Sequence, residues 1–253
     1  MEEKFYEAAR DGNVEVVKEI LRSHPTLDVN WINVREGGTT AFHQACVYNR
    51  DDVVSILLAQ PAIDVNHKGN TGATPFVSTC FRGYSSCFCL LLRDGRVNVE
   101  ETDLWGVSPL WSAAFNGDLD IFNWCIACGR EMDMRGPVIE AAKARGHTMV
   151  ANLLERFEGS PEETRHTVRL EIGWYDEVAA EMFALVVFVS DGLLQVTQGD
   201  QSSSTPAARF LVIARSLPLE LQMVLCYRVA GSAKEIIPGK DREGAIKKLA
   251  KWF

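Results

Sequence analysis

Three stretches set the fold: TAFHQACVYN at Thr40–Asn49, TPFVSTCFRG at Thr74–Gly83 and SPLWSAAFNG at Ser108–Gly117. They are related position by position at steps of 34 residues. Each opens on a hydroxyl residue, which caps a helix by accepting a backbone N–H. Two of the three place Pro next, at the first helical position, where its missing N–H costs nothing. A small pair follows (Ala45-Cys46, Thr79-Cys80, Ala113-Ala114), letting a short helix lie close against its neighbours. Asn49, Gly83 or Gly117 then ends the helix by accepting a left-handed backbone.

A second apolar stripe follows each copy: Val53, Val54, Ile56, Leu57 and Leu58, then Phe88, Leu91 and Leu92, then Phe122, Cys125 and Ile126. This is the buried face of a second helix in each unit. Ala8-Ala9-Arg10-Asp11-Gly12 with Val17, Ile20 and Leu21 is an earlier copy without the Thr-Pro start. Ala142 to Gly146 with Val150, Leu153 and Leu154 is a shortened fifth copy, also lacking that start. Asp28-Val29-Asn30 and Asp64-Val65-Asn66 lead out of second helices into extended connections.

Period, caps, small pair, glycine and Leu stripe together resemble the ankyrin repeat family, whose repeat runs to about 33 residues with a T-P-L-H-x-A signature. The resemblance covers residues 2–158, about five repeats. Ala41 stands where the family has proline, and Val77 and Trp111 where it has histidine. The fold it implies is all-α, an ankyrin-repeat solenoid of about five repeats. At His43, the one histidine at a family position, the resemblance implies a ring bonded to backbone between repeats.

The rhythm stops after residue 158, dividing the chain into a repeat domain at 1–158 and a helical C-terminal domain at 159–253. Helical patterns run over 161–172, 174–194, 206–216, 218–230 and 240–253, with a Gly/Ser-rich stretch at 198–204. A solenoid needs its terminal apolar faces covered, and a capping module is the expected role of these helices.

Composition bounds the function. The formal charge of −8 argues against nucleic acid and anionic membranes as partners. Residues 1–160 hold 15 Lys+Arg against 22 Asp+Glu, so the acidic surface belongs to the repeats. Seven cysteines without small-scaffold spacing fit reduced thiols. With an acidic N-terminus and no secretory pattern, a cytoplasmic chain is expected, the nucleus being the alternative. No phosphate loop, nucleophile elbow, zinc-protease helix or kinase signature is present, so the reading is non-enzymatic, without a cofactor. Cys125-x-x-Cys128 has the spacing of half a metal site, with Cys87-x-Cys89 one repeat earlier, but Cys125 aligns with Leu91, a core position, whereas Cys87 aligns with Ile121, so the two pairs fall in non-equivalent places and no metal is assigned.

The recognition surface implied by the resemblance is concave, built from hairpin tips and the ends of the first helices. The candidate partner-binding residues there are Tyr48, Phe81, Arg82, Leu104, Trp105, Phe115 and Asn116. Aromatic and arginine side chains are the usual anchors of protein interfaces, so a protein or peptide partner is expected, bound by a monomer. The alternative is that the C-terminal helices fold back over these rings and make them core.

Ser216–Ser232, SLPLELQMVLCYRVAGS, carries a second reading. Leu217, Pro218, Glu220, Leu221 and Leu225 are similar to the first helix of an F-box, which docks a Skp-family adaptor of a cullin-type ubiquitin ligase. That resemblance implies a substrate adaptor. The match spans about thirteen residues, and the chain after Val229 is too short for a whole F-box. Pro at the helix start and Glu in its first turn also serve simply as capping. Exposure of the Leu217, Leu221, Leu225 and Val229 stripe separates docking from packing.

Overall fold

Five helix pairs occupy the first part of the chain: α1 (Glu2–Asp11) with α2 (Val14–Ser23), α3 (Ala41–Val47) with α4 (Asp51–Leu58), α5 (Pro75–Arg82) with α6 (Ser85–Arg93), α7 (Pro109–Asn116) with α8 (Leu119–Cys128), and α9 (Pro137–Ala144) with α10 (Thr148–Gly159). Then come α11 (Pro161–Glu171), α12 (Trp174–Ser190) and α13 (Leu219–Ala230). This computed structural model describes residues 1–190, 210–211, 214, 217, 219–230, 241 and 244–246. Among them every named element is a helix, as the repeat pattern requires. The stretch 198–204 and nearly all of the patterns at 206–216 and 240–253 lie outside these residues, as does Pro218.

The caps follow directly from the repeated sequence. The hydroxyls of Thr40, Thr74 and Ser108 accept hydrogen bonds from the backbone N–H of His43, Val77 and Trp111, each at 3.2 Å. Such a cap is worth about 1 kcal/mol. At the other end Gly12, Gly83 and Gly117 take left-handed backbones, and Asn49 does the same at φ 54.

First helices pack on first helices along the series α1, α3, α5, α7, α9, and second helices on second helices from α2 to α10. The small pairs make this possible: Ala9, Ala45, Cys46, Cys80, Ala113 and Ala114 are buried. Between the rows lie Phe42, Leu57, Phe76, Phe88, Leu91, Ile121, Phe122 and Ile126, and the Phe76 and Phe88 rings stack at 5.2 Å. The stripes read from the sequence are therefore the core.

The connections are short hairpins. Asn33 N–H donates to Thr39 O at 2.9 Å, Gly69 N–H to Ala73 O at 3.1 Å and Asp103 N–H to Val107 O at 3.2 Å. Successive tips are joined, since Asn70 N–H donates to Gly37 O at 2.8 Å and Leu104 N–H to Thr71 O at 3.0 Å. Behind the tips runs an asparagine ladder. Asn30 bonds Ala62 O and Asp64 N–H, and Asn66 bonds Arg96 O and Asn98 N–H.

Two expectations are corrected. The fifth copy is not short in its helices, for α9 matches α5 and α7 in length and α10 is longer than α8. What has shrunk is the connection, Gly129 to Gly136, so that α9 starts on Gly136-Pro137 with no side-chain cap. His43 does not bond backbone; its Nε2 lies 2.9 Å from Ser78 Oγ, while His67 makes the backbone bond, to Gly38 O at 2.8 Å.

The chain divides into two compact units, Met1–Val168 and Arg169–Phe253. Most of α11 is thus grouped with the repeats. Its Val168 and Thr164 are buried, Thr164 Oγ1 donates to Arg156 O, and Arg165 reaches Ile126 O. In the second unit α12 packs on α13 through Ala179, Ala180, Phe183 and Ala184 against Met223, Cys226 and Tyr227. Tyr227 donates to Asp176 at 3.0 Å, satisfying a buried hydroxyl.

Candidate functional site

Each first helix ends in a two-residue slot just before its left-handed residue. The slots hold Arg10 and Asp11, Val47 and Tyr48, Phe81 and Arg82, Phe115 and Asn116, and Ala144 and Arg145. A helix end leaves carbonyls without intrahelical partners, and here the next repeat supplies them. Arg50 Nε donates to Arg10 O at 3.0 Å, Asn116 Nδ2 to Phe81 O at 2.8 Å, and His147 Nε2 lies 3.0 Å from Phe115 O. Three of the four junctions between successive helix ends are tied in this way. Arg50 and His147 were not singled out by sequence, although both occupy the position immediately after the left-handed residue.

This approach is close enough to demand glycine. A Cβ at Gly117 would fall within the His147 ring, and one at Gly83 would meet the Asp118 carboxylate at 2.7 Å. Asp118, half-buried, keeps one carboxylate oxygen without a partner in the structure, and burial raises its pKa.

Along this row the candidate side chains differ in how they are engaged. Phe81 is 61% exposed, Tyr48 is exposed, and Arg82 is exposed with no carboxylate partner among the described residues. Phe115 is half-buried: Trp111 stacks on one side at 5.1 Å and the Arg145 guanidinium sits 4.3 Å from its centroid. Asn116 presents an exposed residue whose amide is committed to Phe81 O. The structure therefore joins Phe81, Phe115 and Asn116, and adds Arg145.

Leu104 and Trp105 occupy the third hairpin tip, 72% and 73% exposed. Their presentation is fixed from below. Asp103 Oδ1 accepts from both Trp105 and Val107 N–H at 2.9 Å, Gly106 takes φ 74, and Leu104 seats against Gly72. A tip this well bonded holds two large apolar side chains in water. Within the repeat unit none of Phe81, Leu104 and Trp105 belongs to the core.

In the second unit, α13 turns Gln222, Met223, Cys226 and Tyr227 inward. Leu221 and Val229 are 51% and 55% exposed, while Leu225 and Leu217 are half-buried. Of the docking candidates on this helix, Leu221 faces water and Leu225 packs against the α12–α13 core. Pro218 lies outside the described residues, and so does the side chain of Glu220.

The cysteines divide by burial. Cys46, Cys80, Cys87 and Cys125 are wholly buried, and burial raises their thiols well above the ordinary range, Cys87 to about 12. These are core thiols. Cys128 Sγ lies 3.3 Å from Cys125 O.

Stacked helix pairs that bury one stripe and display side chains along helix ends and hairpin tips define a class: the helical repeat protein, which works by protein–protein interaction. The comparisons name it more closely. Residues 5–69 match the family model described as ankyrin repeats, in three copies. Residues 5–69 thus carry ankyrin repeats, and the ankyrin-repeat family is typically non-enzymatic. It is 36% identical over 77 residues to SMC5-SMC6 complex localization factor protein 1 of Bos taurus, covering 30% of this chain and 7% of that protein. Against the Homo sapiens protein of that name the figure is 42% over 50 residues, covering 20% and 5%. Serine/threonine-protein kinase TNNI3K of Mus musculus is 33% identical over 78 residues, covering 30% and 9%. The chain thus spans less than a tenth of each of these relatives. Among the described residues no helix is long and apolar enough to cross a membrane.

Proposed function

We propose that this chain is a non-enzymatic interaction scaffold that takes a protein partner on the ends of its first helices and its hairpin tips. The observation that carries this is the exposure of Phe81, Leu104 and Trp105 on a frame bonded from repeat to repeat. Large apolar groups held rigidly in water lose little conformational entropy on binding, so their burial converts efficiently into affinity. Tyr48, Arg82, Phe115 and Asn116 complete the face. Free thiols throughout support a reducing compartment, cytoplasm or nucleus. The test is paired: Phe81→Ala with Trp105→Ala removes partner capture in quantitative affinity purification and leaves the melting temperature in place. Loss of stability with unchanged capture contradicts the proposal.

A second reading, a substrate adaptor working through residues 216–230, draws support from the exposure of Leu221 and Val229, eight residues apart on one face of α13. Leu221→Asp removes binding to a purified Skp-family adaptor on this reading; no binding by the unmutated chain sinks it.

A further inference from the structure

The row of helix ends also carries a pattern of charge, and it points to the chemistry of the partner. Every carboxylate at the first slots and tips is already engaged. Asp11 and Glu36 pair with Arg10, Glu101 pairs with Lys68 at 2.5 Å, and Asp103 is spent on backbone N–H groups. The cations at the later helix ends are not neutralised in this way. Arg82 is exposed without a carboxylate partner, and Arg145 is exposed, its guanidinium resting on the Phe115 ring rather than on an acid. Phe81 sits beside Arg82 at the end of α5, and Phe115 and Asn116 end α7, the helix between those of the two arginines, tied to α5 by the Asn116 to Phe81 O bond. A chain with a formal charge of −8 therefore presents two exposed guanidiniums along this row without ion-pair partners among the described residues, with the half-buried carboxylate of Asp118 set against Gly83.

We infer that this stretch of the row binds an acidic peptide segment, its carboxylates pairing with Arg82 and Arg145 and an apolar residue next to the first of them resting on Phe81. The inference rests on reading this face as a protein-docking surface and specifies what docks there. A guanidinium matches a carboxylate in a planar two-bond fork, and stacking on Phe115 holds that of Arg145 in place before binding. Packed helices stand about 8–10 Å apart, so the ends of α5 and α9, two steps apart, are separated by about 16–20 Å. An extended peptide advances about 3.3 Å per residue. The two acidic residues are therefore about five or six positions apart, with the apolar residue next to the one that meets Arg82.

A phage-displayed library of short random peptides, selected on the full chain, tests this. The expected result is enrichment of peptides with Asp or Glu at that separation and Leu, Phe or Trp next to one of them. Their affinity falls about tenfold with Arg82→Glu, about tenfold with Arg145→Gln, and further with added salt, while the melting temperature of the Arg82→Glu chain stays in place. Enriched basic or neutral peptides that lose binding with Phe81→Ala overturn the acidic partner and leave the docking face standing. Acidic peptides indifferent to both arginine substitutions also overturn it. No enrichment, or peptides indifferent to Phe81→Ala as well, overturns both readings.

Discussion

His43 is neutral because of where it sits. It is buried, its Nε2 is given to Ser78, its Nδ1 has no partner in the structure, and burial with His67 nearby lowers its pKa from the usual 6.5 to about 4. A folded pKa below the unfolded value means the unfolded chain binds the proton more readily. This contribution is intact above pH 6.5 and is lost as pH falls toward 4. The shift corresponds to about 3 kcal/mol. Urea unfolding at pH 7 and pH 4.5 is expected to show the native chain losing about 2–3 kcal/mol more than a His43→Leu chain. Equal losses contradict the assignment. Glycines separate in the same manner. Gly117 and Gly146 both have positive φ, but only at Gly117 would a methyl collide with its neighbour, His147, while at Gly146 nothing lies within 4 Å. Gly146→Ala pays backbone strain alone, about 1 kcal/mol. Gly117→Ala must also push aside a ring bonded to Phe115 O, so its denaturation midpoint falls further.

Among elements, the ends of the second helices share one device that the sequence reading passed over. Arg96 donates to Leu58 O and Gln60 O, Arg130 to Leu92 O, Asp94 O and Val97 O, and Arg165 to Ile126 O. Each arginine follows one second helix and reaches back to carbonyls near the end of the second helix before it, where cations are favoured. Arg96 and Arg130 are separated by the same 34 residues as the caps, a signal that was present but that a search for apolar and small residues does not weigh. Arg130→Ala removes three such bonds and is expected to cost about 2 kcal/mol by urea denaturation. Arg130→Lys, a point charge without the fork, recovers less than half. The α13 helix shows the opposite limit. Its apolar positions run almost all round, so the pattern does not single out the buried face, and Met223, Cys226 and Tyr227 fill it rather than the Leu stripe.

For the molecule as a whole, the repeat array was legible because a period is a long-range signal carried by many weak positions at once. Thr40, Thr74 and Ser108 capped as their chemistry requires, and the Leu and Phe stripes became the core. The candidate face was legible only in outline. Slot positions follow from the period, but nothing in Phe115 reveals that Trp111 and Arg145 will hold it, whereas Phe81 one repeat earlier stays exposed. The difference arises from residues contributed by the same helix and the next repeat. The central claim is that Phe81 and Trp105 serve a partner and not the fold. It is tested most directly by measuring the melting temperature and partner capture of the Phe81→Ala/Trp105→Ala chain beside the unmutated one. Surface changes of this kind move stability by about 0.5 kcal/mol or less each, so the account predicts a melting temperature within about 4 °C and a capture reduced at least tenfold. A large drop in melting temperature with capture retained would contradict it.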